Sequence, residues 1–203
     1  GGGGGGTIRT TRSGLPWYNG VFDNTDASSA KVDAFAAMST KPIDLFDAHP
    51  DWTDLPGGAG KDWWYSAHVG RGYNVQISAP LVDSSITVNG SASWGACAAS
   101  MVANGWSAAY YRPGLEMNLS GKPDSCTDAN FGTWKIRFIE VSDAIRAASP
   151  NARIILCFNE GLGSGALSQA NTAALATDLA SYYDILAVDY YDQWEPITRS
   201  EER

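Results

Sequence analysis

Basic residues are scarce in this sequence. The 203 residues include 14 Lys and Arg against 22 Asp and Glu, which gives a formal net charge of -8. An acidic chain repels the phosphate backbone of nucleic acids, and no cluster of Lys and Arg offsets that repulsion. Long hydrophobic runs are lacking too, since none approaches the roughly 20 apolar residues that a membrane helix needs. We therefore expect neither nucleic-acid binding nor membrane insertion.

Histidine and cysteine are also few. His49 and His68 are the only histidines, and their separation fits neither a zinc-binding helix nor a catalytic triad. The three cysteines, Cys97, Cys126 and Cys157, match no zinc spacing and no CxxC redox motif. The sequence thus predicts no metal site and no cofactor, and Cys157, within the apolar run RIILCFN, is interpreted as a small buried hydrophobe.

One domain is expected from the length and composition. A 203-residue chain that is 44% hydrophobic can bury roughly 70% of the surface that it exposes when unfolded. The first six residues are glycines without core-forming side chains, so residues 1–6 are interpreted as a tag, a processed remnant or an unassigned stretch. Residues 7–203 are predicted to form the single domain.

Short apolar strands alternate with helical segments along this domain, a pattern typical of a parallel sheet. We predict strands near residues 18–22, 42–46, 73–78, 108–112, 153–158 and 185–190. We predict helices near residues 29–38, 94–104, 131–145 and 166–182, of which the third has its apolar residues at steps of three or four. The prediction is an α/β fold, an incomplete (β/α)8 barrel with about six βα units and its C-terminal units missing.

The stretch YYRPGLEMN, residues 110–118, places a glutamate just past the end of the fourth predicted strand. Pro113 and Gly114 mark where that strand becomes a loop. In a (β/α) barrel the loops after the strands carry the chemistry, so Glu116 is a candidate catalytic residue. Side chains two apart share a strand face, and Arg112, Gly114 and Glu116 would point the same way if the geometry stayed regular through Pro113.

These residues resemble glycoside hydrolases of the family 26 type, whose best-known members are β-mannanases. YYRPGLEMN is similar to that family's fourth-strand signature, and ILAVDYYDQW looks like its sixth strand. YNGVFDNTDASSAKVDAFAAMSTKPIDLF resembles its first strand, first helix and second strand. The resemblance implies that Glu116 is the general acid/base, that Asn118 contacts substrate, and that Asp189 and Tyr191 line the cleft. We expect Arg112 to bind substrate as well.

This chain departs from the family pattern at two places. The family usually has a histidine or a bulky aromatic residue directly before the glutamate, where this chain has Leu115. The resemblance also implies a nucleophilic glutamate at the end of a seventh strand, and no strand pattern follows Trp194. A retaining glycosidase needs two carboxyl groups about 5 to 5.5 Å apart, one to protonate the leaving oxygen and one to attack. Glu195, Glu201 and Glu202 lie in a polar tail and are poor candidates for that nucleophile.

Aromatic residues in the predicted loops suggest a sugar-binding cleft. The flat CH faces of sugar rings stack on aromatic side chains, and Trp52 and Trp194 follow predicted strands. We expect these two residues to bind substrate, together with His49, which comes just after the second strand. The predicted ligand is a β-linked polysaccharide or oligosaccharide, mannan-like or related.

Two features bear on the compartment of the protein. Cys97 is expected to open a helix and Cys126 to lie in the loop after the fourth strand, so both belong near one face of the barrel. A disulfide between them would close about 29 residues and stabilise the fold by roughly 3 to 4 kcal/mol. The triplets at Asn89 and Asn118 match glycosylation sequons. A secreted or extracellular protein is therefore expected.

Three functional hypotheses remain open. The first is a retaining glycoside hydrolase that uses Glu116 as its general acid/base. The second is a non-catalytic carbohydrate-binding or structural protein on the same fold, which lacks the nucleophile. The third is a nucleotide- or phosphate-binding domain, supported only by GLGSG at residues 161–165, whose spacing matches neither GxGxxG nor a P-loop. The apolar run at residues 185–188 is interpreted as a strand buried on both faces, whose open edge needs further sequence, a neighbouring chain or the rearranged tail to cover it.

Overall fold

The computed structural model describes residues 20–22, 30–50, 52, 55, 67–159 and 167–189. Its sheet has six parallel strands whose spatial order follows the chain. The strands are β1 (Gly20–Phe22), β2 (Leu45–Ala48), β3 (Asn74–Ala79), β4 (Tyr110–Pro113), β5 (Arg153–Asn159) and β6 (Ile185–Asp189). In an all-parallel sheet the carboxyl ends of the strands meet at one edge, and this edge positions the residues considered below.

Four described helices alternate with the strands. They are α1 (Ala30–Met38), α2 (Ser91–Ala103), α3 (Phe131–Ala148) and α4 (Gln169–Asp178). All six predicted strands and all four predicted helices are present, and no end is shifted by more than four residues. The sheet curls into half of a barrel with its helices outside, which confirms the predicted incomplete (β/α) barrel.

The outer face of the sheet packs against α2 and α3. The predicted apolar stripe of α3 is confirmed, since Trp134, Phe138 and Ile145 are fully buried. Trp134 stacks on Phe138 with ring centroids 5.3 Å apart. Trp94 of α2 meets Tyr111 of β4 edge to face at 6.4 Å. This layer, which we call the outer core, contains most of the buried apolar side chains of the described residues.

A smaller apolar cluster lies on the inner face of the sheet. Tyr110 of β4 and Ile155 and Cys157 of β5 form it, and Ile185 and Ala187 of β6 pack against them. The β4 and β5 residues of this cluster alternate with outer-core residues of the same strands, as the pleat requires. The prediction that Cys157 is buried is confirmed, and burial raises the pKa of its thiol to about 12.

The strand β6 differs from its neighbours. Its outer-face side chains Leu186 and Val188 are 51% and 60% exposed. The prediction that this strand is buried on both faces is therefore wrong for the described part of the chain, because no described helix covers its outer side. Within the same described ranges, no helix is long and apolar enough to cross a bilayer.

Candidate functional site

The chain turns sharply where β4 ends. Gly114 and Leu115 both have positive φ values, 89° and 50°. Gly114 donates its N–H to the carbonyl of Ala79 at 2.8 Å, and a Cβ at Gly114 would lie 3.2 Å from the ring of Trp134. The regular alternation that would align Arg112, Gly114 and Glu116 is thus broken, because two left-handed residues interrupt the extended backbone.

After this turn the chain runs beside the carboxyl end of β5. Met117 donates its backbone N–H to the carbonyl of Cys157 at 3.2 Å. At the next residue the side chain of Asn118 makes the contact with β5. Its Oδ1 accepts from the N–H of Asn159 at 2.6 Å, and its Nδ2 donates to the carbonyl of Asn159 at 3.0 Å. Asn118 is 2% exposed. Its amide, predicted to contact substrate, contacts the backbone of β5 in the structure.

Glu116 is buried at this carboxyl edge with 8% of its surface exposed. Its Oε1 accepts a hydrogen bond from the Nδ2 of Asn159 at 3.0 Å. Asn159 was not singled out in the sequence, although it directly follows the predicted strand at residues 153–158, as Glu116 follows the end of its own. Alternation with Ile155 and Cys157 would have placed it on the inner face.

Arg112 and Asp189 form a two-point ion pair across the inner face. The Nη1 and Nη2 of Arg112 lie 3.1 and 3.0 Å from Oδ1 and Oδ2 of Asp189. Burial lowers the pKa of Arg112. Electrostatic attraction to nearby acidic groups raises it by more in total, so the pKa lies above the ordinary value; these groups are Cys157, Asp189, Asp47 and Glu116. Arg112 therefore carries a permanent positive charge among carboxylates at the centre of the edge.

A second polar group lies on β2 and β3. The Oδ1 of Asp47 accepts from the hydroxyl of Ser78 at 2.8 Å, and its Oδ2 is 3.0 Å from the Nε2 of His49. Gln76 donates from Nε2 to the same hydroxyl at 3.0 Å. The ring of Phe22 lies 4.2 Å from the ring of His49. His49 is thus at the carboxyl edge, as predicted, and is partnered by Asp47.

The remaining predicted ligand-binding residues divide into two groups. Trp52 is partly buried against the outer core, and its ring would lie 2.9 Å from a Cβ at Gly90. The contact packs Trp52 over the start of α2. Tyr191 and Trp194 lie outside the described residues, as do the tail glutamates and the GLGSG segment.

The cysteines and the second histidine have structural surroundings. Cys97 and Cys126 are both buried and no disulfide joins them, so the predicted disulfide is not formed in the structure. Cys97 lies in the middle of α2 rather than opening it, and burial raises the pKa of Cys126 to about 12. His68 is fully buried, stacks on Phe46 and hydrogen-bonds the hydroxyl of Tyr73 at 2.7 Å. Within the described part of the chain no group of three His, Cys, Asp or Glu residues could hold a metal ion.

Comparison with known proteins supports the architecture. No protein-family model matches the chain, and no curated protein matches it in sequence. Among solved structures, the Ignisphaera aggregans GH53 catalytic domain superposes with a TM-score of 0.53 at 14% identity. The match covers 91% of this chain and 62% of that domain. The likeness agrees with an incomplete (β/α)-barrel fold for this chain.

At this identity the likeness establishes the fold and not the family. It adds one general point to the site, because a (β/α) barrel places its functional residues at the carboxyl ends of its strands. Glu116, Asn159, Arg112, Asp189 and Asp47 all lie at that edge. The arrangement provides a buried carboxyl group, that of Glu116, which accepts a hydrogen bond from an amide. Nearby, the charge of Arg112 is balanced by its ion pair with Asp189.

Proposed function

We propose that the protein is a glycoside hydrolase that acts on a β-linked polysaccharide, with Glu116 as its general acid/base. The observation that carries this proposal is the position of Glu116, buried just past β4 and held by Asn159. A carboxyl group that must deliver a proton to a defined oxygen needs such fixed geometry. The family 26 resemblance of YYRPGLEMN supports the same assignment, and family membership is part of the proposal.

The proposed chemistry begins with the carboxylic acid form of Glu116. Its proton passes to the glycosidic oxygen while the bond from that oxygen to the anomeric carbon breaks. In the retaining route a second carboxylate attacks the anomeric carbon and forms a glycosyl ester. Water then attacks the same carbon, which breaks the ester bond and frees that carboxylate, while a proton of the water passes to Glu116. Overall, one glycosidic bond and one water are consumed, and two hydroxyl-terminated products form.

The identity of the second carboxylate is open within the described residues. Asp189 is bound at both oxygens by Arg112, and Asp47 is bound by Ser78 and His49. Neither is therefore placed as a nucleophile by the described contacts. The chain spans 62% of the GH53 catalytic domain that it resembles in fold, so the activity of a whole barrel is proposed here and not shown.

The engagement of these two aspartates favours one alternative, a carbohydrate-binding protein without turnover. The same polar edge would then bind hydroxyl groups of a sugar chain. A binding protein and an enzyme differ in one measurable respect, because only the enzyme turns over a β-glycan, and substitution of Glu116 would lower that turnover.

The test compares Glu116→Gln with Glu140→Gln in the full-length protein. Glu140 is a partly exposed residue of α3 paired with Arg137, so it is a matched control away from the carboxyl edge. We expect Glu116→Gln to lower kcat on β-mannan or another β-glycan by about 10²- to 10⁴-fold. An aryl glycoside with a good leaving group should lose less, because it needs less protonation.

Sugar binding by the Glu116→Gln variant, measured by calorimetry, should persist. Equal turnover in wild type and Glu116→Gln would refute the acid assignment. Tight binding of a β-glycan by wild-type protein with no product over long incubation would instead establish the binding protein.

We also propose that the protein is secreted, because polysaccharides are too large to reach an intracellular enzyme. Of the two sequon asparagines, Asn89 is exposed and Asn118 is buried. A glycan in a eukaryotic secretion host should therefore attach at Asn89 alone. Loss of the whole glycosidase-sensitive mass shift in Asn89→Gln is expected, and a shift that persists would contradict it.

A further inference from the structure

Asn159 and the segment 116–118 hold each other at three points. The side chain of Asn159 donates to Glu116 at 3.0 Å, and the backbone of Asn159 exchanges two hydrogen bonds with the amide of Asn118 at 2.6 and 3.0 Å. Glu116 and Asn118 are two residues apart in the chain, and 41 residues separate Asn118 from Asn159. The contacts therefore join two distant segments at the residue that matters most for the proposed chemistry.

The two-point contact of Asn118 fixes the backbone of Asn159. A planar side-chain amide that both accepts from an N–H and donates to the C=O of one residue reproduces the pairing of a neighbouring strand. The ladder between β4 and β5 pairs Tyr110 with Arg153 and Tyr111 with Ile154. Beyond it, the backbone bond from Met117 to Cys157 and then the side chain of Asn118 continue the alignment to the carboxyl edge. Asn159 thus has a fixed backbone from which to hold Glu116.

The side-chain amide of Asn159 is suited to a contact with the carboxyl group of Glu116. Asn159 presents an N–H donor to a carboxyl oxygen without adding a charge. An aspartate of the same shape would put a second carboxylate about as close to Glu116, where like charges repel. It would also replace the donor by an acceptor while leaving the backbone groups that Asn118 binds.

We infer that Asn159 is a positioning residue for Glu116, and that Asn118 supports it through the backbone of β5. The inference rests on the proposed function. Asn159 orients the carboxyl group of Glu116 so that its proton points to the glycosidic oxygen. Asn118 keeps the backbone of Asn159 in the position from which that contact is made. The assigned role of Asn118 is consequently structural support of the acid and not contact with the sugar.

The first arm of the test requires no catalysis. The side-chain amide of Asn159 is assigned in the NMR spectrum of the full-length protein by its loss in Asn159→Asp. We expect this signal to shift in Glu116→Gln and in Asn118→Ala, and to stay in place in the control Asn104→Asp. Asn104 is a half-buried amide that donates to the carbonyl of Ser100 at the end of α2. A signal unmoved by Glu116→Gln overturns the inference.

The second arm measures kinetics of Asn159→Asp. We expect kcat on an unactivated β-glycan to fall about 10²-fold with KM almost unchanged, as for a misplaced catalytic group. An aryl glycoside with a good leaving group should fall less. A rise in KM at unchanged kcat, or equal losses on both substrates, overturns the positioning role. If wild-type protein turns over no glycan, the proposed function fails, and the NMR arm alone decides the contact.

Discussion

The outer and inner faces of the sheet are built from the same strands but differ in what their side chains contact. The outer face carries fully buried apolar residues such as Tyr111 and Ile154, packed against α2 and α3. The inner face has a small apolar cluster. At its carboxyl edge lie the side chains of Arg112 and Glu116 and the amide of Asn159. Stability should therefore depend mainly on the outer face and activity on the inner one.

The largest expected stability effect lies in the outer core. Trp134→Ala removes a fully buried ring that stacks on Phe138 and donates from Nε1 to the carbonyl of Asp124 at 2.9 Å. We expect the free energy of unfolding to fall by about 3 to 5 kcal/mol, measured in urea. Ile136→Ala on the exposed side of α3, where the side chain is 53% exposed, is the control and should change little. Equal losses would contradict the dominance of the outer core.

The second prediction asks whether an inner-face residue also stabilises the fold. Asp189→Ala leaves the buried guanidinium of Arg112 without its two-point partner. We expect a loss of roughly 2 to 3 kcal/mol, below the full cost of breaking a buried pair because the Asp189 side chain is 26% exposed. Asp178→Ala, which breaks an exposed pair with Lys135, should cost less than about 1 kcal/mol. A loss for Asp189→Ala no greater than for Asp178→Ala would show that the inner pair contributes nothing to stability.

A third prediction concerns the support beneath the carboxyl edge. Asp124 accepts from the backbone N–H of Leu81 at 2.7 Å, and Asp124→Ala should cost about 1 to 3 kcal/mol by leaving that donor buried and unpaired. Burial raises the pKa of Asp124, although the Leu81 bond lowers it in part. Its charge is therefore unfavourable in the folded state, so this group stabilises less as pH rises from its ordinary pKa through the raised one.

The variant Asp124→Asn retains an acceptor and has no charge. It should lose less stability than Asp124→Ala and show a weaker decline in stability as the pH rises above about 4. Thermal unfolding from pH 3 to 7 measures both effects. A steeper pH dependence in Asp124→Asn than in wild type would reverse the sign of the argument.

The smallest expected effect is at the start of α4. Asp128 accepts from the N–H of Ser168 at 2.9 Å and from Asn171 at 2.7 Å, and these bonds lower the pKa of its carboxyl group. Its contribution to stability is present above the ordinary pKa of about 3.9 and is lost as pH falls through the lowered value. The difference in melting temperature between wild type and Asp128→Ala should be small at pH 7 and shrink towards pH 3. A difference that grows on acidification would contradict it.

The sequence predicted the fold better than the site. Strand and helix patterns located all ten described elements, because apolar periodicity reports directly on burial. The same patterns placed Glu116 and Arg112 at the end of β4, whereas the placement of Asp189 in the cleft came from the family resemblance. It could not assign Asn118, because the partner of its amide is a backbone segment 41 residues away. The position of Asn159 after an apolar strand pattern was a usable signal. Its amide, however, has no acid–base chemistry that would mark it as a functional residue.

The exposure of β6 could not be predicted from its composition. The run ILAV has the same apolar character as the buried strand RIILCFN, and burial of either depends on what packs on its outer side. The predicted disulfide is absent from the structure for a related reason. The expected positions of Cys97 and Cys126 followed from approximate element boundaries, and Cys97 lies in the middle of α2. Side-chain partners depend on distances that a linear pattern does not contain.

The left-handed conformation of Leu115 limits which sequences this site can adopt over evolution. A φ of 50° is uncommon for a residue with a side chain, and it is least compatible with the β-branched residues. Glycine, asparagine, aspartate and histidine accept it most readily, and the family that YYRPGLEMN resembles usually has histidine here. The backbone at position 115 therefore favours substitution by a few polar or small residues, directly before Glu116. A substitution there that keeps the positive φ would change the surroundings of Glu116 and leave the turn in place.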